Sequence, residues 1–378
     1  MRLVLFTGKG GVGRTTTAAA TAVRAAGQGR KTLLVSAGSA PSLDDVLGCP
    51  AGDLNGPVEV GAGVAAGLFA VRADPRTAAR HLPGRTHDLL LDALDDLGVD
   101  PLALDDLADL PGLDDLLTLL VLRDQVRDGP WDLVVLDCPP PSAAFRLLTT
   151  PDLLGRLLHR LLPMDRRIAR LTARADPGDP LVAGADLLAA ELAGVRSMLT
   201  AEDASVRLVT TPERVVLAET RRLFTALTMS GFAIDAVLVN RLEGDRNGVV
   251  PAEASSSFGD LPVLRLNQAA HEPRGVERLA ELARGLGPEP PVPVAAPFGI
   301  DRTATGFDLR IALPLARPDE LDLGRRGDDL VITVGGYRRL LALPGVLRRC
   351  RTDGASLREG VLTVAFVPDP AEFPSRWV

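Results

Sequence analysis

Leu3-Val4-Leu5-Phe6-Thr7-Gly8-Lys9-Gly10-Gly11-Val12-Gly13-Arg14-Thr15-Thr16 is the stretch whose reading decides the fold. Its first five residues have the composition of a buried strand. A glycine-rich segment, Gly8 to Thr16, follows, and Thr16 to Ala26 is alanine-rich and reads as a helix. Strand, glycine loop and helix in that order are the context a phosphate-cradling loop requires. The glycines let backbone N–H groups turn inward around an anion without a clash from Cβ. The helix N-terminus adds its dipole, and Thr15 is placed to put its hydroxyl on Mg2+. The bland alternative is a glycine-rich turn with no ligand. The usual pattern ends Gly-Lys-Thr, whereas Arg14 stands here in the lysine position. Arginine keeps the charge, but its planar fork is not a point-charge substitute at the β- and γ-phosphates.

Around this loop the chain has 378 residues, enough for two or three domains with a sizeable core. Hydrophobic residues make up 46% and charged residues 24%, a globular balance that argues against disorder. Of the 42 lysines and arginines, only Lys9 and Lys31 are lysine. A genome whose base composition turns lysine codons to arginine is the simplest account, and it makes Lys9, inside the loop, conspicuous. The net charge of −7 disfavours a nucleic-acid or anionic-membrane partner. No apolar run approaches the roughly 18 residues of a membrane span. The opening MRLVLF is cut short by Gly8 and does not read as a signal peptide. Cys49, Cys138 and Cys350 are odd in number and far apart, so they read as reduced thiols of a cytoplasmic protein, with no zinc spacing.

Short Val- and Leu-rich runs at Leu3–Thr7, Thr32–Ser36, Gly67–Val71, Leu133–Asp137, Val206–Thr210, Ala236–Asn240 and Val263–Leu266 alternate with spacers long enough for crossover helices. This pattern predicts an α/β domain with a mostly parallel sheet over residues 1–286. Residues 287–297, GPEPPVPVAAP, hold five prolines and read as a stiff linker. Beyond it, Leu309–Leu313, Leu330–Val334, Arg339–Leu343 and Val361–Phe366 read as strands with no long helix, a small all-β unit over 298–378.

The early lysine of the loop resembles the deviant phosphate loop of the arsenite-pump and tail-anchored-protein-targeting ATPase family. The resemblance continues in order through Leu110-Pro111-Gly112-Leu113-Asp114-Asp115-Leu116, Asp132-Leu133-Val134-Val135-Leu136-Asp137-Cys138-Pro139-Pro140, Arg146-Leu147-Leu148, Pro151, Glu219-Thr220-Arg221, Asn240-Arg241 and Glu272-Pro273-Arg274-Gly275. It implies a P-loop NTPase domain that binds ATP or ADP with Mg2+ and dimerises, as a homodimer or with an active paralogue. In that family the early lysine, here Lys9, reaches across the dimer to the partner's nucleotide. The resemblance assigns phosphates to Gly8, Lys9, Gly10, Gly11, Val12, Gly13, Arg14, Thr15 and Thr16. Asp137 matches the carboxylate that holds Mg2+ through water, and a hard cation does need an oxygen ligand opposite the phosphates. Asn240 matches the adenine-reading residue, whose amide both donates and accepts. Pro273 matches the loop that closes over the base. Taken alone, Asp137 is also a strand-capping residue and Asn240 a turn residue.

The family pattern breaks at chemistry. Where the family has the Asp that orients the attacking water, the stretch Ser36-Ala37-Gly38-Ser39-Ala40 offers Gly38, leaving the catalytic base unassigned. A missing general base costs about 10²–10⁴ in rate. Asp44 and Asp45 are the nearby substitutes. In the second switch, Thr-Gly-His becomes Pro141-Ser142-Ala143 after Pro139 and Pro140, restricting φ and removing donors. The stretch after Asn240 lacks the Cys-x-x-Cys zinc pair of the targeting branch, so no zinc is expected. Three scattered cysteines do not supply an arsenite site. Residues 152–204 correspond to the helical insertion that cups a protein client. There Leu153, Leu154, Leu157, Leu158, Leu161 and Leu162 form a helical stripe, which also suits plain core or interface.

Residues 307–367, with Ile311-Ala312-Leu313-Pro314, Asp329-Leu330-Val331-Ile332-Thr333-Val334-Gly335-Gly336 and Glu359-Gly360-Val361-Leu362-Thr363-Val364, resemble the small heat-shock protein (α-crystallin) core. Three readings stand. The first is a nucleotide-gated, protein-binding switch with weak or absent hydrolysis. The second is a working ATPase driving client or anion handling. The third is a chaperone-like scaffold that binds no nucleotide.

Overall fold

The computed structural model describes residues 1–37, 41–53, 56–61, 63–75, 77, 112–161, 180–243, 252–291 and 298–372. The first stretch of chain gives β1 (Arg2–Thr7), α1 (Arg14–Gly27), β2 (Thr32–Ser36), α2 (Ser42–Leu47), β3 (Val58–Glu59), β4 (Leu68–Arg72), α3 (Leu113–Asp128), β5 (Leu133–Asp137), α4 (Pro141–Leu161) and α5 (Pro180–Leu199). Then come β6 (Ala204–Thr210), α6 (Arg214–Met229), β7 (Ile234–Leu242), α7 (Ala252–Ser256), β8 (Val263–Asn267) and α8 (Val276–Ala283). The remainder holds β9 (Phe298–Arg302), β10 (Phe307–Ala312), β11 (Leu321–Arg326), β12 (Asp329–Val334), β13 (Tyr337–Ala342), α9 (Gly345–Arg348), β14 (Cys350–Arg358) and β15 (Val361–Pro368). These residues sort into two compact units, Met1–Ala204 with Ala269–Gly287 and Ser205–Gln268 with Pro288–Val378.

In the first unit the strand order is β3-β4-β2-β5-β1. All pairs are parallel except the short β3 against β4. Continuous apolar runs form these strands because both faces are covered: every residue of β2 and β5 is buried. The register sets Asp137 beside Phe6 of β1 and Ser36 of β2. The chain therefore leaves three neighbouring strands at one edge, into the phosphate loop, the first switch and the second switch. Ligands of open α/β sheets bind at this carboxyl edge. Helix α1 packs its alanines, Ala18 to Ala20 and Ala22, fully buried under the sheet, and α8 lies against it. Arg24 of α1 donates to the carbonyls of Leu286 (3.0 Å) and Gly287 (2.6 Å) at the end of this unit.

The second unit contains the parallel strands β6, β7 and β8. It also contains an antiparallel sheet β14-β15-β10-β9 and a three-stranded sheet β11-β12-β13. Period-two alternation builds the core between these two sheets. Leu309 and Ile311 of β10, Leu330, Ile332 and Val334 of β12, and Leu362, Val364 and Phe366 of β15 are buried together, with Met229 of α6 against them. The expected strands are all present, with ends shifted by at most two residues. Four more, β3, β9, β11 and β14, are strands the sequence reading left unassigned, and all four have mostly exposed residues. Their pairing, not their own pattern, makes them strands. Among the described residues no helix is long and apolar enough to cross a membrane.

One charge pair is buried in the second unit. Arg207 of β6 donates through Nε (3.1 Å) and Nη2 (2.7 Å) to Asp235 of β7, which also accepts from Ser205. The two side chains are 2% and 0% exposed. Asp235→Ala strands a buried guanidinium, and its expected cost is about 3–5 kcal/mol, read as a lower denaturant midpoint. Asp235→Asn, which keeps one acceptor, is expected to lose less.

Candidate nucleotide site

The phosphate loop closes on two left-handed glycines, Gly11 (φ 84°) and Gly13 (φ 89°), a conformation L side chains rarely adopt. A Cβ built on Gly10 or Gly11 meets no atom of the described residues within 4 Å, so the loop is open on the Cβ side of these glycines. The Thr17 amide donates to the Gly13 carbonyl (2.9 Å) and its hydroxyl to the Arg14 carbonyl (2.9 Å), fixing the first turn of α1.

Thr15 Oγ1 donates to Oδ2 of Asp137 at 2.6 Å. The other carboxylate oxygen, Oδ1, is buried and has no hydrogen-bond partner among the described residues. A buried carboxylate oxygen left unpaired is costly and calls for an explanation. A hard cation held by the Thr15 hydroxyl and the Asp137 carboxylate provides one, and the oxygen donor set fits Mg2+. The residues therefore fit a nucleotide with its cation.

Arg14 is turned to the second switch. Its Nη1 donates to the carbonyl of Cys138, the residue after Asp137. Cys138 N–H donates to Phe6 (2.9 Å) and Ala37 N–H donates to the Asp137 carbonyl (2.9 Å). Residues 137 and 138 are thus tied to β1 and the first switch by backbone bonds and to the phosphate loop by the Arg14 side chain. Past them the three prolines lead into α4, where Ala144 N–H finds the Pro140 carbonyl (2.8 Å). Arg146 of α4 is paired to Asp115 of α3 at 2.7 Å. Of the first switch, Ser36 and Ala37 are placed, while Gly38 lies outside the described residues. Asp44 is engaged elsewhere: Oδ2 accepts from Arg72 (3.0 Å) and Oδ1 from the Ala51 amide (3.0 Å). Asp45 is exposed on α2.

Asn240 sits near the end of β7 in the second unit, buried, with Oδ1 accepting from the Arg241 amide at 2.8 Å. Arg241 takes φ 57° where the β7 register shifts. Pro273 lies in the first unit, in a loop whose Gly275 amide donates to Val46 of α2 (2.9 Å). Lys9 is half-buried in the bend of the loop. The insertion stripe is described in part. Leu153 and Leu157 are 52% and 48% exposed on α4, while Leu162 and the Leu161 side chain lie outside the described residues. Three contacts escaped the sequence reading: Arg14 to Cys138, Gly275 to Val46, and Arg24 to residues 286 and 287. Each ends on a backbone carbonyl, which leaves no side-chain motif to find.

The family model described as anion-transporting ATPase matches residues 1–287, and that of an HSP20-like domain found in ArsA matches residues 304–366. The chain belongs to the anion-transporting ATPase family. This is an ATPase family of nucleotide-binding chains, and here it carries the HSP20-like domain behind it. An uncharacterised protein of Streptomyces coelicolor is 38% identical over 99% of both chains. A Mycobacterium tuberculosis protein is 34% identical over 99% of this chain and 98% of its own. A putative arsenical pump-driving ATPase of Aquifex aeolicus is 26% identical over 96% and 99%.

Electrostatics separate Asp137 from ordinary surface acids of this family member. Burial pushes its carboxyl up from 3.8 to about 6, and the Thr15 hydrogen bond and the Arg14 charge pull part of the way back. An acid whose folded value is raised contributes stability that is full below its unfolded value and lost as pH rises through about 6. Asp137→Asn mimics the protonated form. Without divalent cation at pH 8 it is expected to unfold at a higher denaturant midpoint than the parent, by about 2–3 kcal/mol. The gap should close as the pH falls toward 4. A variant no more stable than the parent at pH 8 would show that the carboxylate is not strained by burial.

Proposed function

We propose that this chain is a nucleotide-gated, dimeric switch that binds ATP with Mg2+, hydrolyses it weakly or not at all, and handles a protein client in the cytoplasm. The observation that carries the proposal is the Thr15–Asp137 pair, with one buried carboxylate oxygen left over beside an open glycine loop. In this reading Gly8 to Thr16 hold the phosphates and Lys9 reaches the partner subunit. Thr15 and Asp137 manage Mg2+, Asn240 reads adenine, and Pro273 closes over the base. When bound, the cation draws charge off the phosphates.

Weak hydrolysis follows from what stands where a base is needed. Gly38 has no side chain to orient water. Asp44 would have to give up both Arg72 and the Ala51 amide to do so. The second switch begins with three prolines, which supply no N–H donors toward a γ-phosphate. The exposed pair Leu153 and Leu157, one helical turn apart, supports a client or partner surface on α4.

ATP with Mg2+ is titrated against the full chain while phosphate release is followed on the same sample. Binding is expected, with turnover about 10²–10⁴ below an enzyme that keeps its base. Turnover that survives replacement of Asp44 and Asp45 but is lost in Asp137→Ala would instead establish a working ATPase. Absence of binding would favour a scaffold that uses no nucleotide.

A further inference from the structure

We infer that Arg14 is a positioning residue that crosslinks the bound phosphates to the second switch, and not a lysine equivalent that drifted in an arginine-rich chain. The inference rests on the nucleotide-binding reading above and concerns how that site is regulated.

A lysine ammonium is a compact point charge, and a phosphate group absorbs it. A guanidinium carries five N–H donors in a rigid fork. In this structure Nη1 of Arg14 donates to the Cys138 carbonyl, which leaves the rest of the fork for other acceptors. Arg14 is also the first residue of α1, directly after left-handed Gly13, at the loop that would receive phosphate. One planar group thus joins the phosphate loop to the first carbonyl beyond Asp137. An anion held by the same planar guanidinium fixes the orientation of the fork, and with it the Nη1 donor to Cys138. Cys138 is also the last residue before Pro139, Pro140 and Pro141, which are stiff and lack N–H groups. A restraint on the Cys138 carbonyl is therefore carried by three rigid residues into the first turn of α4. A backbone arm thus runs from the phosphate loop into α4, with Arg14 at its root.

The test is hydrogen exchange on the full chain over residues 138–148, with Mg2+ and either ATP or AMP, affinities being measured on the same samples. Ser142, Ala143 and Ala144 report, because Ser142 supplies the first N–H after the prolines. In the parent protein, ATP is expected to slow their exchange roughly tenfold relative to AMP. Arg14→Lys, compared with the parent at saturating ATP so that occupancy is equal, is expected to lose most of that slowing. Equal slowing in the parent and Arg14→Lys would overturn the inference, as would ATP binding to the parent with no change at these amides. Failure of the parent to bind ATP would overturn the nucleotide reading and this one with it, and the affinity measurement tells the two failures apart. Arg14→Gln, planar but uncharged, is the second variant should the lysine form prove unfolded. It should bind ATP more weakly, and any remaining ATP-dependent slowing in it equal to the parent's would likewise count against the crosslink.

Discussion

A buried carboxylate, that of Asp137, sets the terms for the edge of the sheet where the three loops leave. Burial disfavours its charge. A hydroxyl satisfies one oxygen, a guanidinium stands nearby, and no described residue satisfies the other oxygen. The residue cannot move away from this strain. It is pinned in the parallel register between Phe6 and Ser36, and its own carbonyl is held by Ala37. A fold that keeps an unpaired buried acid beside a glycine loop is poised for a cation that brings its own anion.

Binding and turnover place different demands on this edge. The cradle needs left-handed glycines, an open mouth, a hydroxyl and a carboxylate, and all are in place. Turnover needs a base aimed at water. Asp44, the first acid along the chain after Gly38, serves instead as a tie between α2, the Ala51 amide and Arg72 of β4. α2 in turn carries the loop of Pro273 through Val46. Asp44 therefore supports local structure on which the Pro273 loop rests, and a second role as catalyst would compete with that support.

Much of this was legible in the chain. β2 and β5 have the boundaries the apolar runs set, because strands buried on both faces leave a continuous signal. Thr15 and Asp137 could be paired on paper, since the loop motif and the strand-end acid have fixed roles. β9, β11 and β14 left no such signal. Residues such as Gly324, Arg325, Arg351 and Gly354 sit on exposed strands, where neighbouring backbone rather than burial dictates extension. The division into compact units was also invisible: Ala269–Gly287 belongs with the first unit although β6 to β8 belong with the second. Arg14 shows the limit most clearly. Its residue type was read as a weakened lysine, yet its partner is a carbonyl 124 positions away that no side-chain pattern announces.

The central claim is that Thr15 and Asp137 hold a divalent cation together with nucleotide phosphates. Electron paramagnetic resonance of Mn2+ in place of Mg2+ tests it directly. With ATP present, the parent should show tightly bound Mn2+ with phosphorus hyperfine coupling, and Thr15→Ala and Asp137→Asn should each lose the protein-bound signal. A bound Mn2+ spectrum that is the same in the parent and both variants would contradict the account.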